Sequence, residues 1–212
     1  MRTRRKQEVV DWTIDLPPGW FMMPLEQLST PEQSQWIEEV IAQVQEAAVE
    51  PGSPTALRSE LAQLRTELLR QQNPWLNAAV SIRPEKVMTV GCLLLTSIIE
   101  LEEGEGPDSF AAGVEEAFAH PARGTRTHSS RVWREHIDAG ELVGSFQRFE
   151  IVDYGEGIGT VEDRTVFGVF PENCIEFIRF EFRTWDLAAH ADFIDETSVI
   201  ARSARVALAN VS

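Results

Sequence analysis

Residues 174–185 read CIEFIRFEFRTW, and their alternation decides the fold. Ile178, Phe180 and Phe182 fall on one face of an extended chain, while Arg179, Glu181 and Arg183 fall on the other. That is the period of two of a strand with one face in a core and the other wet or pairing its charges across strands. Downstream, Phe193, Ile194, Thr197, Ile200, Ala201 and Ala204 share one side of a helix. The spacing predicts a terminal helix, capped by Asp186, that lies across the sheet. Upstream, Pro171-Glu172-Asn173 is a tight-turn sequence. It is preceded by strand candidates at 165–170, 142–154 and 132–138, the last two separated by Ala139-Gly140, and from Arg123 onward the chain reads as an antiparallel meander.

The first half supplies a different pattern. Val10, Trp12, Ile14 and Leu16 alternate over 9–16 and stop at Pro17-Pro18-Gly19, where proline withholds a ladder donor and glycine permits the turn. Trp20-Phe21-Met22-Met23-Pro24-Leu25 resumes as an extended apolar stretch. Thr30-Pro31-Glu32-Gln33 has a capping threonine, a proline at the first helical position and a glutamine to close the box. The predicted helix buries Trp36, Ile37, Val40, Ile41, Val44 and Ala48 and ends by Pro51-Gly52. Ser53-Pro54 repeats the cap, and Leu57, Leu61, Leu64 and Leu68 follow as one row. A helical hairpin over 30–72 is expected, its leucines packing a core, since the row is too short for a coiled-coil seam. Strands at 78–82 and 87–99 turn about Pro84, and the second is apolar on both faces, hence central in a sheet. Glu100, Glu102, Glu103, Glu105 and Asp108 form an acidic loop, after which Asp108 or Ser109 caps a short helix bearing Phe110, Val114, Ala117 and Phe118.

The 212 residues, 43% hydrophobic and 25% charged, suit a single globular domain over 9–207, with a basic N-terminus at 1–8 and a tail at 208–212. A net charge of -15 repels polyphosphate and anionic lipid, so neither nucleic acid nor membrane insertion is expected, and a partner with a basic surface is favoured. The longest apolar run, 87–99, is too short to cross a bilayer, which takes about 20 residues. Glu8 and Asp11 interrupt any signal-peptide core. Cys92 and Cys174 sit in apolar strand-like segments and read as reduced core thiols of a cytoplasmic protein.

A strand ending in Leu16-Pro17-Pro18-Gly19-Trp20, and a last strand through Thr184 into Asp186-Leu187-Ala188 and a helix ending Ile200-Ala201-Arg202-Ser203, resemble the Mog1/PsbP-like superfamily. The closer likeness is to its uncharacterised actinobacterial branch, which also inserts a helical segment of the 57–69 kind. The resemblance implies an α/β (α+β) fold of α/β/α sandwich type with a central, mainly antiparallel sheet. It also implies a protein-binding or assembly-accessory module without chemistry of its own, secretion-system-associated or immunity-like, and it carries over no catalytic residues.

Motifs that imitate chemistry have plainer readings. His120, His128 and His136 lie eight residues apart, which matches no metal-ligand spacing. His136 and Asp138 are ordinary same-face neighbours in a strand, with no nucleophile in view. Gly155-Glu156-Gly157-Ile158-Gly159 brings its third glycine one residue early for a dinucleotide loop and is followed by strand. No catalytic, cofactor-binding or metal site is therefore expected, and the chain is read as non-enzymatic. Arg123, Arg126, Arg131 and Arg134 around Trp133 form a basic patch, read as a partner for the acidic loop or as part of a protein interface. Trp20, Phe21 and Met22, between proline breaks, are the best candidates for an exposed apolar patch. The candidate interface is thus Trp20, Phe21, Met22, Arg131, Trp133 and Arg134. Self-association stays open, and the alternative function is a small-molecule binding domain with a pocket between sheet and helical hairpin.

Overall fold

The computed structural model describes residues 6–26, 28–84, 87–152 and 159–211. Among them are four helices and nine strands, seven in one antiparallel sheet and two in a second, a mixed α+β chain. The chain divides into two compact units, Pro17–Leu95 and Met1–Leu16 with Thr96–Ser212.

The first of these units holds β2 (Trp20–Met23), α1 (Thr30–Ala47), α2 (Thr55–Arg70), β3 (Asn77–Arg83) and the start of β4 (Thr89–Glu100). Here β2 pairs only with β3, which leaves it at the edge of the strand order. Trp20 N–H bonds Pro17 O at 3.3 Å around Gly19, whose φ of 88° is the left-handed turn conformation glycine allows. Ile37, Val40, Ile41 and Val44 of α1, and Leu57, Leu61 and Leu68 of α2, bury against Met23, Val80, Ile82 and Leu93, with Leu64 half-buried beside them. The leucine row is core. The cap of α1 differs from the expected one: Ser29 occupies it, and Glu32 accepts from Ser29 N–H at 2.8 Å and Ser29 Oγ–H at 2.7 Å, so the box closes one residue earlier than the Thr30/Gln33 reading. Pro54, not Ser53, occupies the cap of α2, because Ser53 is drawn into a bridge with Val87. Arg65 is buried in this unit with its guanidinium on Pro24 O (2.8 Å), Glu26 O (2.6 Å) and Gln33 Oε1 (3.2 Å), which fixes the chain entering α1.

The larger unit holds β1 (Gln7–Thr13), the end of β4, α3 (Pro107–Ala119), β5 (Thr125–Ile137), β6 (Gly140–Val152), β7 (Gly159–Phe170), β8 (Glu176–Thr184), α4 (Phe193–Arg202) and β9 (Arg205–Asn210). Its strand order is β4-β8-β7-β6-β5, and β1 and β9 pair separately. The alternation read in β8 is realised: Ile178, Phe180 and Phe182 are fully buried, and Arg179 and Arg183 stand on the opposite face with Glu181 between them. Phe182 meets Phe167 edge-on at 5.9 Å, and Trp12 of β1 meets Phe180 at 5.5 Å. Thr197 of α4 accepts a buried hydrogen bond from Thr165 Oγ1 at 3.0 Å on this same face. The other face carries Val143, Phe170 and Phe177, against which α3 sets Ala111 and Phe110. Phe170 and Phe177 stack at 4.7 Å, and Phe110 meets both edge-on.

Several boundaries move. The terminal helix does not run on through Ala204: it ends at Arg202 and the chain turns into β9, antiparallel to β1, which takes in 208–210 of the expected tail. Asp192, not Asp186, caps α4, accepting from Asp195 N–H at 3.0 Å, while Asp186 accepts from Ala188 N–H at 3.1 Å in a turn of its own. Pro107 opens α3 under Gly106, and Ser109 Oγ accepts from Gly106 N–H at 2.9 Å, so neither Asp108 nor Ser109 is the cap. Ala117 of this helix is exposed rather than packed. The strand candidate at 132–138 begins at Thr125, and Thr13 ends the first strand short of Leu16. Cys92 and Cys174 are free thiols, and burial pushes the Cys174 thiol pKa up. No helix among the described residues is long and apolar enough to cross a membrane.

Candidate functional site

Strand β5 lies at the end of the strand order, hydrogen-bonded to β6 on one edge alone. It presents a row of backbone donors and acceptors on its other edge. Its register places Arg131 opposite Phe146 and Trp133 opposite Gly144, with Arg134 on the opposite face. The expected cluster of Arg131, Trp133 and Arg134 is therefore divided by the pleat. Trp133 covers Gly144, where an added Cβ would stand 2.4 Å from its Cε2, and meets Phe167 edge-on at 5.7 Å. The indole is an anchor, half-buried, and the Arg131 guanidinium lies 5.5 Å from its ring centre. Arg134 turns to Asp108 at 2.5 Å and Glu141 at 3.4 Å, and the hydrogen bond to Asp108 raises its already high pKa. The acidic segment thus takes up Arg134. Arg123, Arg126 and Arg131 have no carboxylate partner among the described residues, although Glu150 lies directly across from Arg126, where it faces His128 Nε2 at 3.6 Å. At the start of β5 a depression of about 720 Å³ is lined by Phe118, Pro121, Gly124, Arg126, Thr127 and Glu150.

Trp20, Phe21 and Met22 lie on β2, in the other unit. Phe21 packs with Met23 on the hydrophobic core, Trp20 is half-buried, and Met22 is 56% exposed. Alternation again divides the expected patch, leaving Met22 as its exposed member.

Elsewhere in the larger unit, guanidiniums are matched. Glu181, whose side chain is 4% exposed, accepts from Arg179 Nη2 at 2.5 Å and Arg183 Nε at 2.6 Å, with Arg164 Nε at 3.5 Å. Glu162 accepts from Arg164 Nη2 at 2.7 Å, and that guanidinium also lies over Phe149 at 4.7 Å. On the opposite face Arg148 holds Asp163 through two bonds of 2.6 Å, which raise the arginine's pKa further.

Of the histidines, His136 and Asp138 form no hydrogen bond or ion pair with each other, and His120 Nδ1 sits 3.3 Å from Glu116 O. Among the described residues no group of three or more His, Cys, Asp or Glu could hold a metal ion. Residues 155–158 of the glycine run lie outside the described residues, and Gly159 opens β7. The pair that sequence reasoning missed is His190 and Glu196, joined at 2.6 Å. His190 lines a cleft of about 280 Å³ between α4 and the β6–β7 face, within the larger unit. The six-residue separation spans a loop and the first turn of α4, so it becomes legible only once Asp192 is known to be the cap. A third hollow, of about 440 Å³, lies between the 101–105 loop and residues 173–175. Compared with protein-family models and with curated proteins, the chain matches none.

Proposed function

We propose that this chain is a non-enzymatic protein-binding module, of the Mog1/PsbP-like sandwich type its sequence resembles, and that it receives an extended acidic segment of a partner protein along the free edge of β5. The carrying observation is the set of unpaired arginines at and before that edge, Arg123, Arg126 and Arg131, in a chain of net charge -15. Carboxylates are in excess, so unpaired guanidiniums on one strand are a choice of position rather than a shortage of partners. An added strand would take up the edge's backbone groups, and its acidic side chains would meet Arg126 and Arg131. Screening over about 8 Å at physiological salt confines the interaction to this patch despite the acidic remainder. The depression beside Arg126 and Phe118 would accept an apolar side chain of the same segment. The basic partner surface favoured by the overall charge gives way here to a local acidic one.

The test compares wild type with the Arg126→Glu/Arg131→Glu double variant by affinity co-purification from the native cell, followed by cross-linking and mass spectrometry. A stoichiometric partner whose acidic segment cross-links to β5, and which the variant loses, supports the reading. Equal recovery by both proteins, or cross-links confined to other strands, overturns it.

A further inference from the structure

The cleft under α4 contains one buried polar atom with no partner. His190 Nδ1 lies 2.6 Å from Glu196 Oε2. A carboxylate only accepts, so Nδ1 carries the hydrogen, and in the neutral imidazole Nε2 is left to accept. Nε2 is buried and unbonded, a state that costs stability until something meets it. Around it the cleft sets apolar side chains, Phe146, Leu187, Phe193 and Ile194, beside polar ones, Arg148, Asp163, Thr184 and Asp192. The imidazole itself is fixed, tilted against Phe193 at 5.0 Å.

Charge narrows the occupant. Asp163 is taken by the two-pronged bond from Arg148, Asp192 by the N–H of Asp195, and Glu196 by His190 with Ala191 N–H at 3.1 Å. Arg148 in the lining answers Asp163, and the remaining negative charge of Asp192 and Glu196 opposes an anion. We propose that the cleft binds a small uncharged molecule with a single ring and a hydroxyl group, the ring held by Phe146, Phe193 and Leu187 and the hydroxyl donating to His190 Nε2. This site is independent of the β5 edge, so either reading can fail without the other.

Titration of the full chain with phenol, toluene and benzoate, followed by the imidazole ¹⁵N resonances and by ligand-observed NMR, tests it. Phenol is expected to move the His190 Nε2 resonance and to bind at least about fivefold more tightly than toluene. His190→Phe, which keeps the ring packing and removes the acceptor, should abolish that preference while toluene binding persists. His190→Gln, which retains an acceptor, should keep part of it. The proposal is overturned if toluene binds as well as phenol, if benzoate binds more tightly, if none of the three binds, or if the Nε2 resonance stays fixed while phenol binds.

Discussion

The arginines of β7 and β8 and those at the β5 edge meet the solvent under opposite arrangements. On β7 and β8, Arg164, Arg179 and Arg183 converge on Glu162 and Glu181, two carboxylates buried beneath them. At β5, Arg126 and Arg131 stand exposed and form no ion pair among the described residues, Glu150 across from Arg126 facing His128 instead. The first arrangement closes a sheet face on itself: each guanidinium has its charge answered inside the molecule, and its stem covers the strand below. The second leaves charge to be answered from outside. In a chain so rich in acid, the contrast between the two sets of arginines carries more functional information than the total charge does.

The largest effect that would break this contrast is on the paired side. Glu181→Ala should lower stability by about 2–4 kcal/mol in urea unfolding, because the residue is buried and its loss leaves several guanidiniums crowded without a counterion. A loss under about 0.5 kcal/mol would show that the guanidiniums simply turn to water, and the matched face would then be no different in kind from β5.

How far this was visible in the sequence depends on how local each cause is. The alternation of β8 was legible because each residue's face follows from its own parity, and the leucine row of α2 because helical spacing fixes it. The start of β5 was not, since Thr125 to Ser130 is polar at almost every position and an edge strand needs little apolar alternation to form. Strand β9 was hidden for another reason. Its Ala-rich sequence continues the helical pattern of α4, and only its pairing with β1, at the far end of the chain, makes it a strand. Asp186 was read as the α4 cap because it follows the last strand directly, whereas the helix starts only at Phe193, under Asp192. The candidate interface shows the same limit. Arg131, Trp133 and Arg134 were recognisable as a group, but which arginine is already paired depends on where Asp108 lies in space.

A smaller effect sharpens the β5 side. Gly144→Ala places a methyl where the Trp133 indole lies, 2.4 Å from Cε2, and the neighbour is a ring with no flexible end to withdraw. The expected cost is about 1–3 kcal/mol, with a changed near-ultraviolet circular dichroism signal as the indole is lifted from Phe167. Since Arg131 rests on that indole, partner binding should weaken in the same variant. Unchanged stability with an unchanged aromatic signal would mean that Trp133 is not held by Gly144, and that Arg131 has no fixed platform.

The smallest expected effect is the most discriminating. Arg126→Ser should change stability by less than about 0.5 kcal/mol and Arg131→Ser by less than about 1 kcal/mol, because neither guanidinium forms an ion pair among the described residues and both are exposed. If either cost as much as Glu181→Ala, the arginine would be answering an internal charge, and its unpaired state would say nothing about a partner. Near-neutral stability together with a loss of partner binding separates the two sets of arginines cleanly: one is held for the fold, and the other for what the fold meets. The cation–π contact of Arg131 with Trp133 sets the margin, since an exposed pair of this kind is worth about 0.5–1 kcal/mol at most. Arg131→Ser should therefore be the slightly costlier of the two, and Arg126→Ser the one closest to zero.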